Sequence, residues 1–187
     1  MLRTQLLNPV KKSDPRVRGS ERMVRKMPSL MRYINVVSRC GASFRGAKLA
    51  DTDLGDTHHS YILAVCHNPG ISQDKLARKL FINKSNVTRN LAYLESHGYV
   101  TRRQSDEDRR VICVYPTQKA LDALPGIRAI LREWNGYITD GFTEEEMATF
   151  LSMMKRVSER AAELVQISAD LDPDPDPDAS VPETNGN

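Results

Sequence analysis

The hydrophobic period of the sequence changes at Gly98, and this change constrains the fold more than any other feature. In the preceding stretch, NKSNVTRNLAYLESHG, the apolar residues Val87, Leu91 and Leu94 recur at helical spacing, which predicts a helix with one buried face. After Gly98 the residues turn β-branched and aromatic, which is typical of strands. The pattern predicts two strands, joined as a hairpin by a short polar connection that includes SDEDRR, over residues 99–103 and 111–115.

A second helix is predicted directly before the first. The turn Asn68-Pro69-Gly70 ends one segment, and Ser72 is the expected N-cap of SQDKLARKL, with Asp74 in the first helical turn. Asn83 is the expected N-cap of the next helix, and Gly98 is its expected C-terminal stop. Two tightly joined helices followed at once by a hairpin define a winged helix-turn-helix. The predicted fold class is mainly α with a small β-hairpin wing (α+β).

Amphipathic patterns outside the winged unit complete the predicted organisation. Leu30, Ile34 and Val37 predict an N-terminal helix, and a stripe from Met147 to Leu164 predicts a long C-terminal helix opened by the capping box TEEE. The predicted divisions are a disordered basic arm at 1–27, an N-terminal helix and loop at 28–56, the winged helix-turn-helix at 57–116, C-terminal helices with a kink or break at Pro125-Gly126 at 117–168, and a disordered acidic tail at 169–187.

Charge is distributed unevenly along the 187 residues. The formal net charge is +3, but residues 1–50 hold twelve Lys and Arg against Asp14 and Glu21, a net of +10. Residues 170–187 hold five Asp and one Glu without a cation, a net of −6. The segment between them is close to neutral, so a polyanion has to be met by local patches. No apolar run of about 18 residues and no secretory signal stand out, and the expectation is a cytoplasmic protein without a membrane span.

The helix that begins near residue 84 presents hydrogen-bonding groups and cations on the face opposite its buried one. A surface helix ordinarily places acidic residues in its first turn, because the N-terminal end of the helix dipole is positive. This pattern indicates a recognition helix that enters the DNA major groove. Asn pairs naturally with adenine and Arg with guanine, whereas Lys suits phosphate. The candidate base contacts are Ser85, Asn86, Thr88 and Arg89, and the candidate phosphate contacts are Lys84, Arg102 and Arg103.

The hairpin tip carries a second candidate contact with DNA. Arg109 and Arg110 are placed to reach the minor groove, where a narrow A·T tract strengthens the negative potential. Asp108 is expected to orient one of these arginines through a charge-assisted hydrogen bond. The competing interpretations are an ordinary solvated helix face and a solvated β-turn in which Asp and Arg neutralise each other.

Three stretches of the sequence resemble the multiple-antibiotic-resistance regulator (MarR) family over about residues 57–165: NPGISQDKLARKL, NKSNVTRNLAYLESHGYVTRR and SDEDRRVICVYPT. The Asp-x-Arg wing and Thr117 match the family pattern, while Pro116 and Ala120 stand where the family usually has Leu and Gly. The resemblance implies a homodimer with N- and C-terminal dimerisation helices, whose recognition helices address the half-sites of a pseudo-palindromic operator roughly 34 Å apart. It implies a ligand- or redox-responsive transcriptional regulator, and a repressor released by its effector is the predicted function.

Effectors of that family lodge between the dimer helices and the winged domain. The resemblance therefore implies a small-molecule crevice in this chain as well. The candidate lining residues are Tyr33, Arg39, His59, Tyr61 and Trp134, each of which is equally compatible with a core or a surface position.

Other chemistries have little basis in the sequence. No catalytic residue and no cofactor is predicted, and an enzyme is not expected, because no phosphate-cradling glycine loop or paired-carboxylate arrangement stands out. The histidines and cysteines lack CxxC or HxxxH spacing, so no metal ligands are predicted. Cys40, Cys66 and Cys113 are expected to be buried, inert thiols. Three alternatives remain: a redox switch through Cys40, a metal-responsive regulator of the same fold, and a winged-helix module that binds proteins through the same helix.

Overall fold

The computed structural model describes residues 29–164 of the chain. They belong to two compact units that divide after Gly41, and each unit is described by itself. Helix α1 (Leu30–Lys48) contains this division, and its N-terminal part is the described portion of the first unit. The predicted basic arm and acidic tail lie outside the described residues.

The second unit contains the helices and strands that the sequence predicts, with one addition. Both hairpin strands begin and end one residue later than predicted, and β1 is an additional strand whose two residues are too few to show a hydrophobic period. None of the helices between residues 29 and 164 combines the length and the apolar character that a bilayer crossing requires. After α1 the elements are α2 (His58–His67), β1 (Ile71–Ser72), α3 (Gln73–Lys79), α4 (Lys84–Ser96), β2 (Val100–Gln104), β3 (Ile112–Pro116), α5 (Gln118–Ile138) and α6 (Glu144–Leu164).

The three strands form one antiparallel sheet in the order β1-β3-β2. The hairpin pairing of β2 with β3 extends from Val100 opposite Pro116 to Gln104 opposite Ile112. The short strand β1 pairs with the other side of β3 and runs directly into α3. The wing is therefore hydrogen-bonded to the segment that begins the helix-turn-helix.

The core of the second unit includes α2 and the inner face of the helix-turn-helix. Residues 61–66 of α2 are all buried. Helix α4 contributes Val87, Leu91 and Leu94, each 1% exposed or less, as their helical spacing predicts. Burying an aliphatic side chain of this kind stabilises the fold by about 1.5–3 kcal/mol. Because these three residues fix the rotation of α4 about its axis, its opposite face is turned to solvent.

A tight turn joins α3 to α4, and Phe81 within it has a φ of 55°. The Phe81 N–H donates to the Arg78 carbonyl at 3.1 Å, and the Ile82 N–H donates to the Ala77 carbonyl at 3.0 Å. This pair of bonds closes the C-terminus of α3 at a position that usually holds glycine. A left-handed backbone at a residue with a side chain costs roughly 1–2 kcal/mol, so the turn between the two helices is strained.

Two of the helix caps predicted from sequence are confirmed. The Ser72 hydroxyl accepts a hydrogen bond from the Lys75 N–H at 3.2 Å at the start of α3. At the start of α6, the Thr143 N–H donates to Glu146 Oε2 at 2.9 Å, and the Glu146 N–H donates to the Thr143 hydroxyl at 3.2 Å. This reciprocal pair is the predicted capping box.

Helix α5 runs continuously through Pro125, so the break predicted as one possibility at Pro125-Gly126 does not form. Proline removes one backbone donor and disfavours a helix interior. Buried side chains on both sides of this position, Leu124 and Ile127, belong to the core of the unit. Their packing offsets the missing hydrogen bond and keeps the segment helical.

Glycine at position 98 ends α4 as predicted, with a φ of +75°. A Cβ at Gly98 would meet no atom within 4 Å, so the cost of Gly98→Ala is conformational and should be about 1 kcal/mol of unfolding free energy. A Cβ at Gly126 would also meet no atom within 4 Å, but Gly126 lies inside α5. Gly126→Ala should therefore stabilise the fold by about 0.5–1 kcal/mol. Urea denaturation should shift in opposite directions for the two variants, and destabilisation by both would contradict this explanation.

Candidate nucleic-acid interface

The N-terminal turns of α4 form the first part of the candidate interface. Asn83 caps the helix, its side-chain oxygen accepting a hydrogen bond from the Asn86 N–H at 2.8 Å. The first turn contains no acidic residue, so the positive end of the helix dipole is not compensated within the helix itself. Asn86 is half-buried, and the other predicted contacts on this helix are exposed: Lys84, Ser85, Thr88 and Arg89.

Local hydrogen bonds hold two of these side chains in place. Arg89 Nη2 donates to Asn86 Oδ1 at 2.6 Å, and the Thr88 hydroxyl donates to the Lys84 carbonyl at 3.0 Å. A guanidinium carries five donor hydrogens, so Arg89 keeps donors for a ligand while bonded to Asn86. Side chains that are already ordered lose less conformational entropy when they bind.

An ion pair connects the two helices of the helix-turn-helix. Lys84 Nζ lies 2.8 Å from Asp74 Oδ2, and the side chains are 73% and 57% exposed, respectively. An exposed pair of this kind contributes at most about 1 kcal/mol. The start of α3 also meets the wing, since both line a small cleft of about 150 Å³ whose residues are Ser72, Gln73, Asp74, Arg110, Val111 and Ile112. The starts of α3 and α4 and the wing therefore lie close together.

Asp108 shapes the wing differently from the prediction. Its side-chain oxygen accepts a hydrogen bond from the backbone N–H of Arg110 at 2.9 Å, and its carbonyl accepts one from the Val111 N–H at 2.8 Å. An aspartate at this turn position reaches the N–H two residues ahead, so it fixes the backbone rather than an arginine side chain. Arg109 and Arg110 are exposed at the tip, and neither guanidinium is held by Asp108.

The two arginines at the base of the hairpin have different environments. Both Nε and Nη2 of Arg102 donate to Glu95 Oε2, at 2.9 and 2.5 Å, and the Arg102 N–H donates to Oε1 at 3.0 Å. This half-buried contact neutralises the charge of Arg102 and joins the end of α4 to β2. Arg103 is exposed and lies over the Tyr115 ring, 5.6 Å from its centroid. Arg103 is therefore the better candidate for a phosphate contact.

The contact with Arg102 holds the pKa of the Glu95 carboxyl below its usual value of 4.5, chiefly through the side-chain hydrogen bond. A carboxyl whose pKa is lowered by folding stabilises the fold above its unfolded pKa, and this contribution is lost as the pH falls through the folded value. Glu95→Gln should therefore lower the free energy of unfolding at neutral pH, and the deficit relative to wild type should shrink below about pH 4.5. Urea denaturation at several pH values measures this. A deficit that stays constant into the acid range would show that the ion pair is not its cause.

The candidate effector residues lie in both units. Tyr33 and Arg39 are exposed on α1 in the first unit. In the second unit, the half-buried His59 ring donates from Nδ1 to a backbone carbonyl at 2.6 Å, and the Trp134 ring lies 5.5 Å from that of Phe44. Their role in binding an effector remains a prediction.

Two buried polar atoms of the described residues form no hydrogen bond of good geometry, the Tyr61 hydroxyl and Arg128 Nε. Tyr61 is only 1% exposed, and the Asn90 side chain is its polar neighbour. Arg128 uses Nη2 to contact His67 Nε2 at 3.1 Å. A buried polar atom without a partner costs about 1–3 kcal/mol, so water or a small ligand that reaches either atom would be stabilised there.

The cysteines are free, and only one of the three is fully buried. Burial raises the pKa of the Cys66 thiol to about 11, which makes it inert at neutral pH. Cys113 is half-buried and Cys40 is exposed, so the expectation of three buried thiols is wrong. Cys40 lies on the first part of α1, where most side chains face solvent. Within residues 29–164, no group of three or more His, Cys, Asp or Glu side chains is placed to hold a metal ion.

The sequence prediction missed a set of basic residues on α3. Lys75, Arg78 and Lys79 recur at steps of three and four, so they share one face of this helix. With the turn at residues 68–71 they line a cleft of about 470 Å³, which we call the α3 cleft. The spacing is visible in the sequence, but a helix of seven residues is too short for its exposed face to give a distinct pattern.

Comparison with known proteins agrees with this geometry. The sequence profile of the MarR family matches residues 52–111. The chain is 26% identical over 131 residues to the uncharacterized HTH-type transcriptional regulator YybA of Bacillus subtilis, a match that covers 70% of this chain and 87% of that protein.

Solved structures extend the similarity to most of the fold. The crystal structure of MarR is 29% identical, with a TM-score of 0.66 over 76% of this chain and 96% of that one. A protein from Listeria monocytogenes, described as a MarR family transcriptional regulator and crystallised with a 26mer DNA, is 27% identical, with a TM-score of 0.70 over 73% and 91%. The fold and the candidate interface define a winged helix-turn-helix transcriptional regulator. In its winged helix-turn-helix the chain matches the MarR family, and over most of its length it is similar to proteins described as transcriptional regulators.

Proposed function

We propose that the chain is a regulator of the MarR family that binds specific DNA sequences by placing the start of α4 in the major groove. The observation that carries the proposal is the division of α4 into a buried apolar face and an exposed face of cations and hydrogen-bonding groups. The DNA complex of the Listeria monocytogenes protein supports it, because that protein has the same fold and is 27% identical to this chain over the matched residues.

The proposed contacts divide between bases and phosphates. Base edges are read by exposed side chains with hydrogen-bonding capacity and by the Asn86–Arg89 pair, whose geometry is fixed before DNA arrives. The proposed base contacts are Ser85, Asn86, Thr88 and Arg89; the proposed phosphate contacts are Lys84 and Arg103; and the proposed minor-groove contacts are Arg109 and Arg110. Arg102 is no longer proposed as a contact, because Glu95 holds its guanidinium.

We further propose that the chain acts as a homodimer joined by its N- and C-terminal helices, as part of the domain division expected from the sequence. Ala162 is the one fully buried residue of α6, although this helix carries a long apolar stripe. Phe150 and Leu151 on that stripe are 45% and 56% exposed. An exposed apolar surface of this kind marks a site where another chain can bind and remove it from water. Exposed apolar residues on α1 are consistent with the same role: Leu30, Met31, Tyr33, Val36 and Val37.

Leu151→Glu should shift the protein from dimer to monomer, because the substitution places a charge in the proposed apolar contact. Thr149→Glu adds the same charge at an exposed position of α6 outside the apolar stripe, and it should leave the dimer intact. Sedimentation velocity at a series of protein concentrations distinguishes the two variants. A wild-type chain that is monomeric throughout, or two variants that both remain dimeric, would contradict the proposed interface.

The proposed regulatory role is that of a repressor released by a small-molecule effector. The effector would change the distance between the two recognition helices, so that the dimer no longer fits both half-sites. Such coupling is reciprocal, so DNA must weaken effector binding by the same factor as the effector weakens DNA binding. Simultaneous binding of both without any mutual change in affinity would exclude this mechanism.

Fluorescence anisotropy tests DNA binding itself. The full chain is titrated into a labelled duplex from directly upstream of its own gene and into a scrambled duplex, each at two salt concentrations. Tight, salt-sensitive binding that favours the native duplex supports the proposal, because phosphate contacts release counterions. A protein-interaction module would instead bind neither duplex at low salt.

For the redox alternative, a peroxide response that survives in Cys40→Ser would exclude this exposed thiol as the switch.

A further inference from the structure

The α3 cleft carries positive charge that the DNA contacts proposed above do not use. Its volume is about 470 Å³, and among the described residues that line it three are cationic and none is acidic: Lys75, Arg78 and Lys79. None of the ion pairs within residues 29–164 involves these three side chains. Cations held close together repel one another, so an anionic partner lowers the energy of the site.

The cations are regularly spaced along one face of α3. Arg78 and Lys79 follow Lys75 by three and four residues, which places each of their Cβ atoms about 5–6 Å from that of Lys75. Lys75 and Arg78 are exposed, and Lys79 is half-buried. Leu76 and Ala77 form the buried side of the same helix. The cationic face is therefore open to an extended chain whose acidic side chains have a similar spacing.

An acidic repeat of this chain has that spacing. Residues 170–178, which lie outside the described range, read DLDPDPDPD and include five Asp and no cation. A residue that precedes proline favours an extended backbone, and an extended chain of this kind rises about 3.1 Å per residue. Alternate positions are then about 6 Å apart. The sequence thus predicts a row of carboxylates that matches the cations of α3 in charge and in spacing.

The length of the intervening chain permits the contact. Leu164 is the last described residue of α6, and Asp170 and Asp178 follow it by six and fourteen residues. An extended chain covers at most about 3.3–3.6 Å per residue, so these carboxylates can reach roughly 20 and 50 Å from Leu164. Helix α6 and the cleft belong to the same compact unit. A unit of about 120 residues has a radius of gyration of roughly 14 Å, so the repeat is long enough to span it.

We propose that the acidic repeat docks in the α3 cleft of its own chain, with its carboxylates paired to Lys75, Arg78 and Lys79. The docking stands apart from DNA binding, whereas its consequence rests on the proposed function. A docked repeat places five negative charges beside the helix-turn-helix and repels the phosphates of DNA. It therefore lowers the affinity for every duplex, native or scrambled, and salt weakens the docking.

Carbodiimide cross-linking of the full chain tests the docking without DNA. The reagent joins a carboxylate and an amine that are in contact, and mass spectrometry locates the joined residues. Links from the repeat to Lys75 or Lys79 should be more abundant than links to Lys155, an exposed lysine of α6 that is closer to the repeat in sequence. The links to the cleft should disappear at about 1 M salt, where charges are screened beyond about 3 Å.

Isotope labelling identifies the chain that supplies the repeat. Labelled and unlabelled chains are unfolded, mixed and refolded together before cross-linking. Docking within one chain predicts links between peptides that carry the same label. Links that join a labelled to an unlabelled peptide would assign the repeat to a second copy and overturn the inference.

A double-mutant cycle measures the effect of docking on DNA binding. The cleft variant is Lys75→Gln/Arg78→Gln/Lys79→Gln. Each exposed ion pair favours the docked state by about two- to threefold. Loss of the acidic charge should therefore strengthen DNA binding roughly 10-fold more in the otherwise wild-type chain than in the cleft variant. Circular dichroism and sedimentation establish that the variants keep the wild-type state. The repeat variant replaces five residues by Asn: Asp170, Asp172, Asp174, Asp176 and Asp178.

Each outcome bears on a different claim. Links that are no more abundant at Lys75 and Lys79 than at Lys155 overturn the inference, whether or not the chain binds DNA. Equal strengthening of DNA binding by the repeat variant in both backgrounds also overturns it, because a general effect of charge does not need the cleft. A wild-type chain that binds no duplex at low salt contradicts the proposed function, while the cross-links still test the docking. If the cleft variant does not fold, Arg78→Gln takes its place, and the expected difference is about two- to threefold.

Discussion

Arg89→Ala should weaken binding to the native operator by about 1–3 kcal/mol, or roughly 5- to 150-fold in Kd. The guanidinium is exposed on the outer face of α4, and its bond to Asn86 Oδ1 holds it in one orientation. A side chain that is ordered before binding and can make a bidentate contact with a base contributes much of the discrimination between sequences. The free energy of unfolding should change by no more than about 0.5 kcal/mol, because the side chain belongs to no packed cluster.

The affinities of Arg89→Ala for the native and the scrambled duplex together distinguish a base contact from a phosphate contact. Base readout predicts that Arg89→Ala loses affinity mainly for the native duplex, so the ratio of the two affinities falls. Arg160→Ala, an exposed arginine of α6, should leave both affinities unchanged. Equal weakening of both duplexes by Arg89→Ala would identify a phosphate contact instead and contradict its assignment to a base.

Leu91→Ala should lower the free energy of unfolding by about 2–5 kcal/mol. Leu91 is completely buried on the inner face of α4, and its removal leaves a cavity in the core cluster that holds the recognition helix. Native domains are stable by only about 5–15 kcal/mol, so this single change removes a large share of the total. DNA binding should decline only under conditions in which the variant unfolds.

Thr88→Ala is the matched control on the opposite face of the same helix. It should change the free energy of unfolding by no more than about 0.5 kcal/mol while it weakens binding to the operator. Urea denaturation and anisotropy on both variants therefore separate anchoring from recognition. A loss below about 1 kcal/mol in Leu91→Ala would contradict the role of this residue as the anchor of α4.

The features that sequence predicts well are those set within a few residues of the chain. The buried face of α4 follows from the spacing of Val87, Leu91 and Leu94, and its ends follow from the capping chemistry of Asn83 and Gly98. Periodicity and capping depend on residues that are close together in the sequence, so they can be recognised without the tertiary structure.

The features that sequence does not predict depend on partners brought together by the fold. Glu95 contacts Arg102 only because the chain reverses after α4 and brings β2 beside the end of that helix. Nothing in the local sequence pattern of β2 indicates this contact. Strand β1 exists through its pairing with β3, and the α3 cleft exists through the meeting of the turn before β1 with α3. At Asp108 the sequence predicts a contact with an arginine side chain. In the structure the tight turn instead places the backbone N–H of Arg110 within hydrogen-bonding distance of the Asp108 carboxylate.

Selection of bound duplexes from a random library, at about 0.15 M salt, bears most directly on whether this chain reads DNA through α4. A dimeric reader should enrich an inverted repeat whose half-site centres lie about 10 base pairs apart, or a multiple of that distance. The same selection with Arg89→Ala should lose base preference at matching positions in each half-site and keep the spacing. No enrichment from a library that the wild-type chain binds, or an unchanged motif with Arg89→Ala, would contradict the assignment of sequence reading to this helix.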